Sequence, residues 1–189
     1  MTARRFALLL ACLALAGAGC RSKPRPPDIP ALVADLIGAD EAKSGAASLK
    51  LVDIGEAAAP ALADALRGGD ARVRKVVAAT LWGMGAKGRA AVPDLAACLG
   101  DADYEVRVGA AMALENMGPA AAPAVPDLVR ALKDREGIVR QRAAKALGAI
   151  GPAAAEALPA LEGAARLDSV RPAAEEAMAR IRAGAPPSP

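Results

Sequence analysis

Acidic and basic side chains recur in this chain at a fixed spacing. Asp70 and Arg74, Asp103 and Arg107, and Glu136 and Arg140 stand four residues apart, and Asp168 and Arg171 stand three apart. On a helix these spacings put both charges on one face, where they can pair, and an acid just ahead of the first turn caps free N–H groups. The expected role of all eight is structural. Other chemistry is excluded by what is missing. The chain has no His, so a Ser-His-Asp triad, imidazole acid–base catalysis and imidazole metal ligation are all closed to it. No Cys, Asp and Glu cluster has metal-ligand spacing, so neither a metal nor another cofactor is expected. Gly83-x-Gly85-x-x-Gly88 has dinucleotide-loop spacing, but no strand pattern precedes it. Cys98 lies on an apolar helix face and reads as small core filler. The expectation is a protein that is not an enzyme.

Binding is the chemistry left, and the aromatic side chains limit it. Phe6, Trp82 and Tyr104 are the only ones, 2% of the chain. They cannot build the stacking platforms of single-stranded nucleic-acid binders. The net charge of +3 is nearly balanced, which argues against the one-signed basic face of a nucleic-acid footprint. Trp is the side chain most enriched at binding hot spots, so Trp82 heads the candidate list. Tyr104 stands at a turn and is expected at the surface.

These residues sit on a repeat. Pro60, Pro93, Pro126 and Pro159 are 33 apart, as are Leu62, Leu95, Leu128 and Leu161, and Gly85, Gly118 and Gly151 keep the same period. A shared period in three residue types is the signature of a repeat array. Five units are expected, at 30–54, 55–84, 85–117, 118–150 and 151–182, the first degenerate. Each reads as two antiparallel helices. Helix A starts at the Pro, whose missing N–H would be unpaired in a first turn anyway. Helix B carries apolar residues at offsets 0, 4, 7, 8 and 11 from a Val; Val106, Ala110, Ala113, Leu114 and Met117 are one set. That is a helical stripe. The Gly after it suits a positive φ. One pair has too little apolar surface to stand alone, so stacking must supply the core.

The face opposite the stripe, offsets 2, 5, 6 and 9, should line the concave surface. Core offsets agree between units and these differ. The candidate protein-binding residues are therefore Trp82, Met112, Val108, Lys75, Glu115, Gln141 and Lys145. Ala78, Ala111, Ala144 and Gly148 share the same offsets. Trp82, Val108 and Met112 can form an apolar patch; the alternative is that Trp82 packs into the groove with the preceding unit.

The N-terminus reads as an address. Arg4 and Arg5 precede an eleven-residue apolar run, Phe6 to Ala16, too short to span a membrane. The ending Ala16-Gly17-Ala18-Gly19-Cys20 resembles a bacterial lipobox, although Gly17 stands where that family has Leu, Val or Ile. The resemblance implies cleavage of a signal peptide, residues 1–19, lipid on Cys20, and residence in the bacterial envelope. Arg21, where an Asp would signal inner-membrane retention, favours the outer membrane. Residues 20–29 then form a Pro-rich, basic tether. Loss of the leader would leave 22 basic and 21 acidic side chains. Cys98 would be the one remaining free thiol, so no intramolecular disulfide is expected. Residues 183–189 are expected to be disordered.

The motif Asp/Glu-x-x-Val-Arg followed by Ala-Ala-x-Ala-Leu-x-x-Ile/Met-Gly, with Ile150-Gly151-Pro152-Ala153-Ala154 and Leu158-Pro159-Ala160-Leu161, resembles HEAT repeats, in particular those related to bilin-lyase subunits. The resemblance covers residues 30–182. It implies an all-α, right-handed α-solenoid of about five helix-pair repeats, with the Asp and Arg residues as a ladder between units. Fold does not fix activity. The expected function is a non-enzymatic scaffold or adaptor for a protein or peptide partner, membrane-tethered by acyl chains, with neither nucleic acid nor metal bound. The alternative is a lyase-like or carrier subunit for a tetrapyrrole or another apolar small molecule, using the same Trp82 and Met112 patch.

Overall fold

Asp carboxylates open most of the long helices and glycines close them. The structure, a computed structural model, describes residues 27–184. The signal peptide, Cys20 and all but the end of the tether lie outside these residues, as does the tail beyond Gly184.

Among the described residues every regular element is helical. The B helices are α2 (Glu41–Ile54), α4 (Ala71–Met84), α6 (Tyr104–Met117), α8 (Gly137–Ile150) and α10 (Arg171–Ala183). The A helices that precede them are α1 (Ile29–Ile37), α3 (Ala59–Gly68), α5 (Val92–Cys98), α7 (Val125–Ala131) and α9 (Leu158–Ala164). The molecule is thus an α-solenoid of antiparallel helix pairs. The Asp70 carboxylate accepts from the Val73 N–H at 2.8 Å, and Asp103 from that of Glu105 at 2.8 Å. Each fills part of the row of unpaired donors at a helix start. At the other end Gly55, Gly85, Gly118 and Gly151 take φ of +70°, +52°, +57° and +74°. An L side chain is strained at such φ whatever the space around it, so the period of these glycines is a period of chain reversals.

One feature of helix A differs from expectation. The Pro occupies the first turn of α3, α5, α7 and α9, but a 3₁₀ run precedes each: Gly55–Ala58, Gly85–Ala91, Gly118–Ala124 and Gly151–Ala157. In the third, Pro119 and Pro123 lack donors, and the shorter i→i+3 pattern tolerates that where an α-turn would not.

The core runs unbroken along the stack. Leu62, Leu95, Leu128 and Leu161 are fully buried, as are Val106, Ala110, Leu114, Val139, Ala143 and Leu147. Ala78, Ala111, Ala144 and Gly148, assigned by sequence to the open face, are buried too. The reason is stacking. A B helix meets its own A helix on one side and the B helices of neighbouring units on its flanks, so the flank positions become interior. Only small side chains fit there: a Cβ on Gly148 would lie 2.8 Å from the Cα of Ala177.

The first unit is the weakest match. In α2 only Ala47 and Leu51 are buried, and Leu49 is exposed. Polar contacts help hold it: Ser48 and Thr80 hydroxyls meet at 2.9 Å, and the Arg72 guanidinium donates to the carbonyls of Ile37 and Gly38.

Candidate interaction surface

The open face of the B helices carries the candidate binding residues, and the structure sorts them. Trp82, near the end of α4, is 49% exposed rather than packed between units. Its carbonyl accepts from the Asn116 side chain at 2.6 Å, which ties the end of α4 to α6 one turn beyond Met112. Val108 and Met112 are half-buried, and Val108 rests partly on the core. Lys75 reaches across to the next unit, 2.7 Å from Glu105 and 3.5 Å from Asp103. Its hydrogen bond to Glu105 pushes the ammonium pKa up, and Asp103 is held below the usual carboxylate range, first by the Glu105 N–H it caps. Glu115 pairs with Arg142 at 3.3 Å. Glu115 and Lys145 also line a small cavity of 180 Å³ with Gly148, Glu176 and Arg180. Gln141 is half-buried on α8. Tyr104 is exposed at the start of α6.

The charged ladder takes a different form from the one the sequence suggests. Among the described residues, Asp70 does not pair with Arg74, Asp103 with Arg107, or Glu136 with Arg140; only Asp168 and Arg171 bridge, at 2.6 Å. The acids at 70 and 103 are committed to the helix N-termini. Glu136 stands at the start of α8 without capping it. The arginines fold back onto the turn before their own helix. Arg107 donates to the carbonyls of Asp101 and Ala102, and Arg140 to those of Asp134 and Arg135. Arg74 and Arg107 find their ion-pair partners in the next unit. Arg74 lies 2.6 Å from Asp101. Arg107, only 4% exposed, holds the Asp134 carboxylate with two bonds of 2.7 and 3.0 Å. That bond raises the Arg107 pKa, and against the opposing effect of burial it helps keep the Asp134 pKa low. The sequence did carry this signal, since Asp101 and Asp134 are 33 apart. The nearer acids masked it.

Chemistry beyond ion pairing is sparse. Cys98 is buried, and desolvation pushes its thiol up to about 11, so it stays protonated at neutral pH. Gly85 is a helix-ending reversal and Gly88 lies in a 3₁₀ run, so the Gly83-x-Gly85-x-x-Gly88 spacing forms no phosphate loop after a strand. Among the described residues no group of His, Cys, Asp and Glu is placed to hold a metal ion. No helix among them is long and apolar enough to cross a membrane.

The family model for HEAT repeats matches residues 59–124 and 92–179. The chain belongs to the HEAT-repeat family. No curated protein shows significant sequence similarity to it. Among solved structures, this HEAT-repeat chain is similar to the CpcE–CpcF complex of phycocyanin lyase from Nostoc sp. PCC7120, with 23% identity, a TM-score of 0.64, and coverage of 79% of this chain and 97% of that one. It is also similar to an engineered protein, with 26% identity, a TM-score of 0.58, and coverage of 84% and 81%. A designed armadillo repeat protein in complex with the peptide (KR)4 matches at 21% identity and a TM-score of 0.61, covering 79% and 80%. A HEAT solenoid of this kind fits a scaffold or binding role.

Proposed function

We propose that this HEAT-repeat protein is a non-enzymatic scaffold or adaptor. It binds a protein or peptide partner on the open B-helix face, tethered to the bacterial envelope through an acylated Cys20, at the outer membrane where there are two. The observation that carries this reading is the exposure of Trp82, the chain's only Trp, on a face where the units differ while their core positions agree. Half-buried Val108 and Met112 extend the apolar surface, with Lys75, Gln141 and Lys145 as polar surroundings. A rigid stack presents these groups with little ordering cost on binding. The tether confines protein and partner to one surface and raises their effective concentration.

The alternative of a tetrapyrrole carrier uses the same residues. The open hollow on this face, lined by Glu115, Lys145 and Arg180 but by neither Trp82 nor Met112, is 180 Å³, below the roughly 300–1,000 Å³ of small-molecule sites, which favours an extended partner. The test is affinity capture of the acylated protein from membranes, beside Trp82→Ala, Met112→Ala and Lys75→Glu variants. The expected outcome is a specific partner whose recovery drops in all three. A partner recovered equally by all three overturns the assignment of the face. Failure of detergent to be needed for extraction overturns the anchor.

A further inference from the structure

Three equivalent grooves run between successive A helices on the far side from Trp82, and their walls can be compared position by position. Between α3 and α5 the wall carries Arg67 and Arg74, answered by Asp94 at 2.8 Å and Asp101 at 2.6 Å. Between α5 and α7 it carries Arg107, answered by Asp134. Between α7 and α9 the basic side remains as Lys133 and Arg140, but the answering acids are gone. Ala160 stands where the earlier units have Asp94 and Asp127, and Leu167 where they have Asp101 and Asp134. Gly163 replaces Arg130, which removes a further wall. The consequences are steric and electrostatic. The α7–α9 groove is one continuous hollow of 700 Å³, whereas that between α3 and α5 holds 350 Å³ and that between α5 and α7 is divided into hollows of 340 and 360 Å³ that meet at Leu99, Gly100 and Asp134. Arg140 has no carboxylate within ion-pair reach among the described residues. Its solvent-inaccessible Nε–H has no hydrogen-bond acceptor among them. Arg74 and Arg142 share that condition, but those two have a carboxylate beside them, Asp101 at 2.6 Å and Glu115 at 3.3 Å, and Arg140 has none. The one acid on the wall, Asp134, is already held by Arg107.

A buried guanidinium donor without an acceptor is costly. The Arg107–Asp134 pair shows what satisfies it, an Asp carboxylate accepting from Nε–H at 2.7 Å. We infer that the α7–α9 groove is a second binding site, separate from the B-helix face, for an acidic peptide segment with apolar flanks. The peptide's carboxylate takes the place left by Leu167, on the guanidinium edge that Arg107 gives to Asp134. Its flanking side chains lie on Val129, Leu132, Pro159 and Ala164. Leu167, 45% exposed at the rim, is the side chain that yields.

The test is fluorescence anisotropy of the full chain with a labelled acetyl-Leu-Asp-Leu-Leu-amide, beside its Asn counterpart. A charge-assisted bond to Arg140 predicts about tenfold tighter binding of the Asp peptide, or about 1.4 kcal/mol. Leu167→Asp, which rebuilds the carboxylate inside the chain, should abolish binding and raise the melting temperature. Arg140→Gln should erase the preference for Asp. Trp82→Ala should leave it intact, so this site and the B-helix face fail or stand separately. Equal affinity for the two peptides, or binding that survives Leu167→Asp, overturns the site. Full displacement by millimolar acetate, or a dimer that Leu167→Asp dissolves, overturns the assignment of a peptide as its occupant.

Discussion

Arg107 and Asp134 show what a single pair does in this stack. Both side chains are largely withdrawn from water, at 5% and 11% exposure. Two charge-assisted bonds and two turn carbonyls satisfy the guanidinium, so the charge is stable only as part of the set. Removing the acid alone strands it. Asp134→Ala should destabilise the protein by about 3–5 kcal/mol, whereas Arg107→Met with Asp134→Leu should cost far less, because no buried charge is left. Chemical denaturation of the two single variants and the double variant measures the coupling. The same pair sets a pH dependence. Asp134 binds protons less readily folded than unfolded, so unfolding in acid takes up a proton. Its contribution is whole above the ordinary carboxylate range, about pH 4, and is lost as pH falls through that range towards the lower folded value. The double variant should lose less stability between about pH 6 and pH 3 than the parent. Nearest-neighbour reading of the sequence paired Arg107 with Asp103 because helix spacing permits it. The structure prefers an acid 27 residues away because Asp103 is more useful on the N–H of Glu105.

Within each element, the legible parts were those where one residue type meets a backbone demand. Pro in a first turn, Asp ahead of α4 and α6, and Gly at the end of each B helix could all be read, since each answers a missing or surplus backbone group. The 3₁₀ runs could not, because Ala-rich and Pro-rich segments such as Gly118–Ala124 carry no side-chain pattern that separates 3₁₀ from α. The glycines provide a sharp test. A Cβ on Gly151 would meet nothing within 4 Å, yet its φ is +74°. Gly45, inside α2, also has open space around it and ordinary helical backbone. Gly151→Ala should therefore cost about 1–3 kcal/mol through strain alone, while Gly45→Ala should stabilise by up to about 1 kcal/mol. Thermal unfolding of the pair separates backbone strain from crowding; equal effects would contradict the assignment.

Across the whole molecule, stability is a chain of interfaces, and the interfaces are where single-helix reasoning ran out. The repeat and the helix pairing were visible in the 33-residue columns. The burial of Ala78, Ala111 and Ala144 was not, because a position that faces outward on one amphipathic helix faces inward once another helix lies against its flank. Close stacking needs small residues at those flanks, and the tolerance differs from joint to joint. At Gly109 a Cβ would touch the Cβ of Ala78 at 3.5 Å, an ordinary contact. At Gly148 it would meet the Cα and Cβ of Ala177 at 2.8 and 3.0 Å, and a backbone atom cannot move aside. Gly109→Ala should therefore leave the joint between α4 and α6 intact. Gly148→Val should force α8 and α10 apart, and because each unit contacts mainly its neighbours, the damage should stay at that end of the stack. Hydrogen exchange provides the measurement. Amides of α9 and α10 should lose protection by one or more orders of magnitude in Gly148→Val while α4 and α6 keep theirs. A uniform loss along all helices would mean that the units unfold as one body and that nearest-neighbour stacking does not govern this solenoid.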